Sequence, residues 1–136
     1  MTSPSNTTNM NTTALLQYVY ADVRRISEIS SAQITLHPAD RDCFSPPREP
    51  LKGIAAVQAH EDALFAATEG TLVMDVDSIS ANEHFGAVMG TLRANKKGKG
   101  EVAMPFCGVW RFQGGKAVEH WENAVDAAML GKWLAE

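Results

Sequence analysis

Cysteine is scarce in this 136-residue chain: Cys43 and Cys107 stand far apart in sequence, with no CxxC pair. Two such residues make no disulfide framework of the kind that staples small secreted domains, and they read as reduced thiols of a cytoplasmic protein. No apolar run approaches the roughly 20 residues that span a bilayer, so no membrane partner is expected. Positive charge is also short, 12 Lys and Arg against 16 Asp and Glu for a net charge of −4, which argues against nucleic acid. The basic cluster Lys96-Lys97-Gly98-Lys99 is broken by glycine and reads as a solvated hairpin tip. Four histidines, His37, His60, His84 and His120, show no HxH or HxxxH spacing, so no metal site is legible. A glycine-rich phosphate loop and a serine elbow are missing too, and a cofactor-free pocket is the expectation. Residues 1–12 lack the basic end and apolar stretch of a signal peptide; they read as a disordered polar tail before a single domain over 13–136.

What is present is an ordinary globular balance, 45% hydrophobic and 21% charged. Leu15, Leu16, Val19, Val23, Ile26 and Ile29 recur at helical spacing and predict one helix from about Thr13 to Ser30, capped by Thr12 or Thr13. Ile34 to His37 reads as a short strand ended by Pro38, and Ala39 to Lys52 as an irregular loop. A second helix opens at Leu51 or Gly53, with Ile54, Val57, His60 or Glu61, Leu64 and Phe65 spaced for one buried face, and stops before Gly70. Four strands follow, Thr71 to Ile79, Glu83 to Ala94, Val102 to Phe112 and Lys116 to Ala124, and Asp126 caps a last helix reaching Leu134. Helices first and a meander of strands afterwards predict an α+β fold, with helices packed on one face of an antiparallel sheet.

The last two strands carry the chemistry. Gln113-Gly114-Gly115 separates them and reads as a hairpin turn needing positive φ. Strand alternation then puts His120 and Glu122 on one face and Glu119, Trp121 and Asn123 on the other. Gly86, Gly90 and Gly108 interrupt good strands, marking bends or close approaches. A concave face lined by Val88, Gly90, Phe106, Gly108, Trp110, His120 and Glu122 would form an apolar cup suited to a small hydrophobic ligand. Glu122 is the first candidate for proton transfer, because a carboxylate in such a cup loses solvation and its pKa rises. Its structural alternative is pairing with Arg111 or Arg93 across the sheet. His120 could share its proton or be a satisfied core histidine. Asp40, in a charged run with Arg41 and Asp42, either edges the pocket mouth or is solvated.

The strand ending Trp110-Arg111-Phe112, the short turn, Lys116, and Glu119-His120-Trp121-Glu122 followed by Asp126 resemble the end of SnoaL-like proteins of the nuclear-transport-factor-2-like superfamily. The resemblance extends over about Thr13 to Leu134 and implies a cone of curved antiparallel sheet closed by N-terminal helices. It is weak on activity, since that superfamily holds isomerases, cyclases, hydrolases and non-catalytic binders. It implies a catalytic carboxylate at Glu122, where aldol cyclases and epoxide hydrolases keep an aspartate. It also points to His37, before Pro38, where ketosteroid isomerases hold a proton-abstracting aspartate, and to Tyr18, about where they place an oxyanion-binding tyrosine.

The departures weigh against carrying any one chemistry over intact. The cyclases' histidine falls on Gly108, and the epoxide hydrolases' arginine and aspartate fall on Val88 and Gly90. The reading is therefore a cofactor-independent isomerase or cyclase acting on a hydrophobic carbonyl compound, or else a non-catalytic ligand-binding or scaffold protein of the same fold. A homodimer is expected through the outer sheet face bearing Val109, Arg111 and Trp121. The alternative is that the C-terminal helix, with Met129, Leu130, Trp133 and Leu134, folds back over that face.

Overall fold

The structure, a computed structural model, describes residues 11–136, so the expected tail lies outside the described residues except for its last two. Helix α1 spans Thr12–Ala21 and is capped by Asn11, whose side chain accepts from the Ala14 amide at 2.8 Å. It buries Leu15, Leu16, Val19 and Tyr20. The single helix expected to Ser30 breaks at Asp22. This residue is extended, and its carboxylate accepts from both the backbone and the guanidinium of Arg24. A short polar side chain bonding the nearby backbone competes with helix continuation. The chain then makes a tight turn over Val23–Arg25 and a one-turn helix α2, Ile26–Ile29.

Strand β1, Ser30–His37, leads into a loop with a tight helical turn at Arg41–Cys43. The two-residue strand β2, Leu51–Lys52, then pairs back antiparallel onto β1, so the second helix starts later than Leu51. Helix α3 spans Ile54–Ala67 and buries Val57 and Glu61. Strands β3 (Val73–Ala81), β4 (Phe85–Lys96), β5 (Gly100–Gln113) and β6 (Lys116–Ala124) form the meander, and α4 covers Ala127–Ala135. Asp126 caps α4, accepting from the Met129 amide at 3.0 Å.

All six strands join one curved open sheet in the order β2-β1-β6-β5-β4-β3, with helices against it, giving the α+β class. The β1–β6 pair is parallel and every other pair antiparallel. In the β5–β6 hairpin Gly114 and Gly115 both take positive φ, 61° and 79°, the pair of angles a two-residue turn needs to follow strand twist. One residue is inserted in β6 opposite Arg111 and Phe112, upstream of Glu119. The alternation from Glu119 to Asn123 is therefore intact: Gly108 faces Glu122 and Trp110 faces His120 on the inner side, while Val109 opposite Trp121 and Arg111 opposite Glu119 lie outside.

The inner face of β4 and β5 is the core, where Val88, Leu92, Met104, Phe106, Trp110 and Phe112 are all buried with the apolar side of α1. Burying an aromatic of Trp110's size removes roughly 150–250 Å² from water, about 4–6 kcal/mol at 25 cal/mol per Å². Helix α4 lies on this inner side, not over the outer face: Leu130, Gly131 and Leu134 border the cavity described below. Lys96 at the end of β4 holds its last turn by donating to the carbonyls of Trp133 and Leu134, each at 2.9 Å. Cys43 and Cys107 are both free thiols. No helix among the described residues is long and apolar enough to cross a membrane.

Candidate functional site

Between the inner sheet face, α1, α3 and α4 lies a cavity of about 400 Å³ with a mostly apolar wall. Phe106, Gly108 and Trp110 of β5 form its floor, and Leu64, Leu72, Leu92 and Leu130 contribute aliphatic surface. Polar groups enter from few places: His120, Glu122 and Asn123 from β6, His60 and Glu61 from α3 with Thr68 at its end, Tyr20 from α1, and Asp40 with Arg48 from the loop after β1.

Glu122 does not pair with either arginine of the sheet. Arg111 bonds Glu119 and Arg93 lies by Asp75, whereas Glu122 Oε1 lies 2.9 Å from His60 Nε2. Burial alone would push the Glu122 carboxyl up. The hydrogen bond and charge of His60, helped by His120 and a backbone bond from Ala39, instead hold it below the usual carboxylate range. The same contact acts on His60, where burial favours the neutral ring but the hydrogen bond and the charge of Glu122 together outweigh it and the pKa rises. Each group thus favours the charged form of the other. Arg41 fixes the backbone beside it, donating to the carbonyls of Pro38 and Glu122, each at 2.7 Å, and to Asn123 Oδ1 at 2.8 Å.

His120 is set differently. It is buried, its ring stacks on Trp110 at 3.6 Å between centroids, and its Nδ1 lies 3.0 Å from the Val109 carbonyl. A carbonyl can only accept, so Nδ1 carries the proton and Nε2 is the free acceptor. Burial drives its pKa down to about 4, against smaller opposing effects of Glu122 and the Val109 bond.

Tyr20 completes the floor. Trp110 Nε1 donates to its hydroxyl at 3.0 Å, and its ring stacks on Phe106 at 5.6 Å. Burial raises its pKa strongly, so it stays a phenol with its own proton free to donate. The hydroxyl occupies the space over Gly108: a Cβ at that position would come within 1.9 Å of the Tyr20 oxygen. Gly108 is thus a close-approach glycine. The position where the sequence resemblance expected a histidine is emptied here for a tyrosine on the facing helix.

Of the residues singled out from sequence, Glu122, His120, Trp110, Phe106, Gly108 and Asp40 border the cavity. Asp40 sits there in an ion pair with Arg48 at 2.9 Å. The other four do not line it. Tyr18 faces away from the cavity, its hydroxyl donating to Glu28 at 2.5 Å and its ring under the Arg25 guanidinium. Two residues along a helix are about 200° apart, so Tyr18 and Tyr20 cannot both face the cup. His37 lies on the outer face, 2.7 Å from Glu119 and stacked on Trp121, because Leu36 takes the inward position in register with His120. Val88 shares the inner face but is sealed in the core. At Gly90 a Cβ would meet the Asp75 carbonyl at 2.1 Å, so this glycine accommodates the irregular register of β3 and not a ligand.

Sequence reasoning missed His60, Glu61, Tyr20 and Arg48 as site residues. A signal existed for two of them: Glu61 falls on the apolar stripe of α3 between Val57 and Leu64, and Tyr20 on that of α1 with Leu16 and Val19. One ligand atom each of His60, Glu61 and Glu122 lie within 4.8 Å of one another, a set that could also hold a small cation. A cation there would have to displace the His60–Glu122 bond, which already satisfies two of the three groups. The arrangement as it stands is one for sharing and moving protons.

Comparison with known proteins gives the family. The chain shares its fold with a protein of cystatin-like fold from Xanthomonas campestris, at 17% identity and a TM-score of 0.74 over 92% of this chain and 98% of that one. A proposed SnoaL-like polyketide cyclase from Jannaschia sp. CCS1 superposes with a TM-score of 0.70 at 15% identity, covering 98% and 96% of the two chains. AclR, a proposed hydroxylase from Streptomyces galilaeus, does so with a TM-score of 0.61 at 22% identity, covering 85% of each. No curated protein sequence matches the chain significantly. The family model of the SnoaL-like domain matches residues 17–120, well over half of the chain, and this protein therefore belongs to the SnoaL-like family.

Proposed function

We propose that this chain is a small-molecule pocket protein working as a cofactor-independent isomerase or cyclase that moves protons on a hydrophobic carbonyl compound. The observation that carries this reading is an ionised carboxylate, Glu122, set in the wall of an apolar cavity and backed by His60 at 2.9 Å. The His60 contact keeps Glu122 ionised and able to accept a proton, the apolar wall keeps water from competing for it, and His60 can take up the charge change. Tyr20, whose phenolic proton is uncommitted, can polarise a carbonyl oxygen, and His120 Nε2 offers an acceptor. The apolar wall favours a carbon skeleton over a sugar or a nucleotide. A fold relative described as a proposed polyketide cyclase supports the cyclase side of this reading.

The test is proton exchange at carbon. With 2-tetralone in D2O followed by 1H NMR, the wild-type protein is expected to accelerate α-deuteration, and Glu122→Gln to lose about 10²–10⁴ of that acceleration. Exchange unchanged in Glu122→Gln would sink the reading. A competing reading, a non-catalytic binder, draws on Val88, Gly90 and Gly108 standing where related enzymes keep reacting groups. It expects binding of apolar ligands with no exchange.

We further propose a homodimer through the outer sheet face, acting in the cytoplasm. Phe85 and Met89 of β4 are 53% and 54% exposed there, beside Val109 and Trp121, and an apolar sheet face of this kind is better covered than wet.

A further inference from the structure

Glu61 has no part in the base chemistry above, and its surroundings give it no structural partner. It enters the cavity from α3, 3% exposed, and its Oε1 is buried without a hydrogen bond. Its place on the apolar stripe is one that a leucine would fill without such a cost, and a buried unpartnered carboxyl needs another reason to be there. Among the described residues no free cation faces it. His60 beside it is committed to Glu122, Arg48 at the mouth to Asp40, and His120 and Tyr20 are uncharged. The charges that do reach Glu61, from Glu122 across the cavity and Asp62 on its own helix, are negative. Burial first, then those two carboxylates, raise it well above the usual range. Two carboxyl groups at one site thus differ, Glu61 shifted toward its protonated form and Glu122 toward its ionised form, a division that marks an acid and a base.

We propose that Glu61 is the proton donor of this site, delivering its proton to the oxygen of a substrate carbonyl while Glu122 removes one from the neighbouring carbon. This rests on the carbonyl reading given above. One oxygen of each carboxyl lies within 4.8 Å of the other, so the oxygen and the α-carbon of one carbonyl group can each sit within about 3 Å of its own partner. In the forward step Glu122 takes the α-proton, and the C–H electron pair becomes the new C=C bond. The carbonyl π pair moves to oxygen, which takes the Glu61 proton. The product is an enol, with Glu122 now an acid and Glu61 a carboxylate. In the return step the enol proton goes back to Glu61 and the carbonyl re-forms. As it does so, the C=C pair takes the proton of Glu122, at the same carbon, which is exchange once Glu122 has traded its proton with solvent, or at a conjugated carbon, which is isomerisation. Protons and electrons balance without a further reactant. The substrate class narrows accordingly to neutral enolisable ketones and enones, since a carboxylate ligand would face Glu122 at close range.

The experiment follows 2-tetralone deuteration in D2O with wild type, Glu61→Gln and Glu122→Gln, alongside 2-naphthol binding and 13C NMR of the glutamate carboxyls. Gln keeps the size of Glu61 and a hydrogen-bond donor but surrenders no proton. Exchange is expected to fall about 100-fold in Glu61→Gln. Affinity for 2-naphthol should stay within about threefold, and the Glu61 carboxyl should remain protonated at neutral pH in the wild type. Three results would overturn the proposal while leaving Glu122 as the base: wild-type exchange in Glu61→Gln, an ionised Glu61 signal, or exchange that requires added zinc and is lost to EDTA. A wild type no faster than buffer would instead remove the carbonyl reading itself, and the proposal with it.

Discussion

Acidification should destabilise this protein through His120 in a way that one substitution isolates. His120 is buried against Trp110 with its Nδ1–H on the Val109 carbonyl, and its pKa falls from the ordinary 6.5 to about 4. A depressed histidine binds its proton more readily in the unfolded chain than in the folded one. Its neutral form therefore supports folding above about pH 6.5, and that support is lost as pH falls toward 4. The full gap of about 2.5 pH units corresponds to about 3 kcal/mol, of which about 2 kcal/mol is lost by about pH 5. Burial sets this value first; Glu122 on the same face and the Val109 bond oppose it, and His60 across the cavity and His37 beyond the sheet add to it. Because Glu61, with its raised pKa, works in the opposite sense over the same range, a bare pH titration of stability would mix the two.

Urea unfolding of wild type and His120→Gln at about pH 7 and about pH 5 separates them. Gln keeps a donor for the Val109 carbonyl and cannot take a proton. Wild type should lose about 2 kcal/mol more than the variant on acidification. An equal loss in both proteins would refute the assignment of a buried neutral His120, and so would an imidazole NMR signal that titrates near its ordinary value.

Gly108→Ala should cost about 1–3 kcal/mol in urea unfolding, because the new methyl meets the Tyr20 oxygen at 1.9 Å, and adding Tyr20→Phe should recover part of that loss. A Gly108→Ala protein as stable as wild type would mean that the hydroxyl is not held over that glycine. Light scattering at micromolar concentration should give a dimer mass, reduced to the monomer by Trp121→Glu; a wild-type monomer would remove the outer-face interface.

Most of the fold was legible because it depends on short-range rules. The turn at Gly114-Gly115 needed positive φ, strand alternation assigned Glu122 and Trp121 to opposite faces, and Asp126 capped a helix where its spacing said it should. The break at Asp22 was not legible from apolar spacing, which runs on through Val23 and Ile26. What ended the helix was a polar side chain turning back on Arg24.

The site was half legible, and the missing half has one physical cause. Alternation in β5 and β6 is a property of neighbouring residues, so Trp110, His120 and Glu122 could be placed together from sequence. The partners from α1 and α3 depend on which side of a helix meets the sheet, and a family likeness transfers such positions only to within a residue or two. Tyr18 was carried over, yet it is Tyr20, two positions further on, that borders the cavity. Gly108 recorded the difference, for a strand glycine opposite Glu122 leaves room for a side chain arriving from another element, and only a residue on the buried stripe of α1 can supply one. Polar residues on apolar helix stripes, read jointly with unexplained strand glycines, are thus the pattern that would have led to Tyr20 and Glu61. Helix faces are the place to look when the strands have supplied only one member of an acid–base pair.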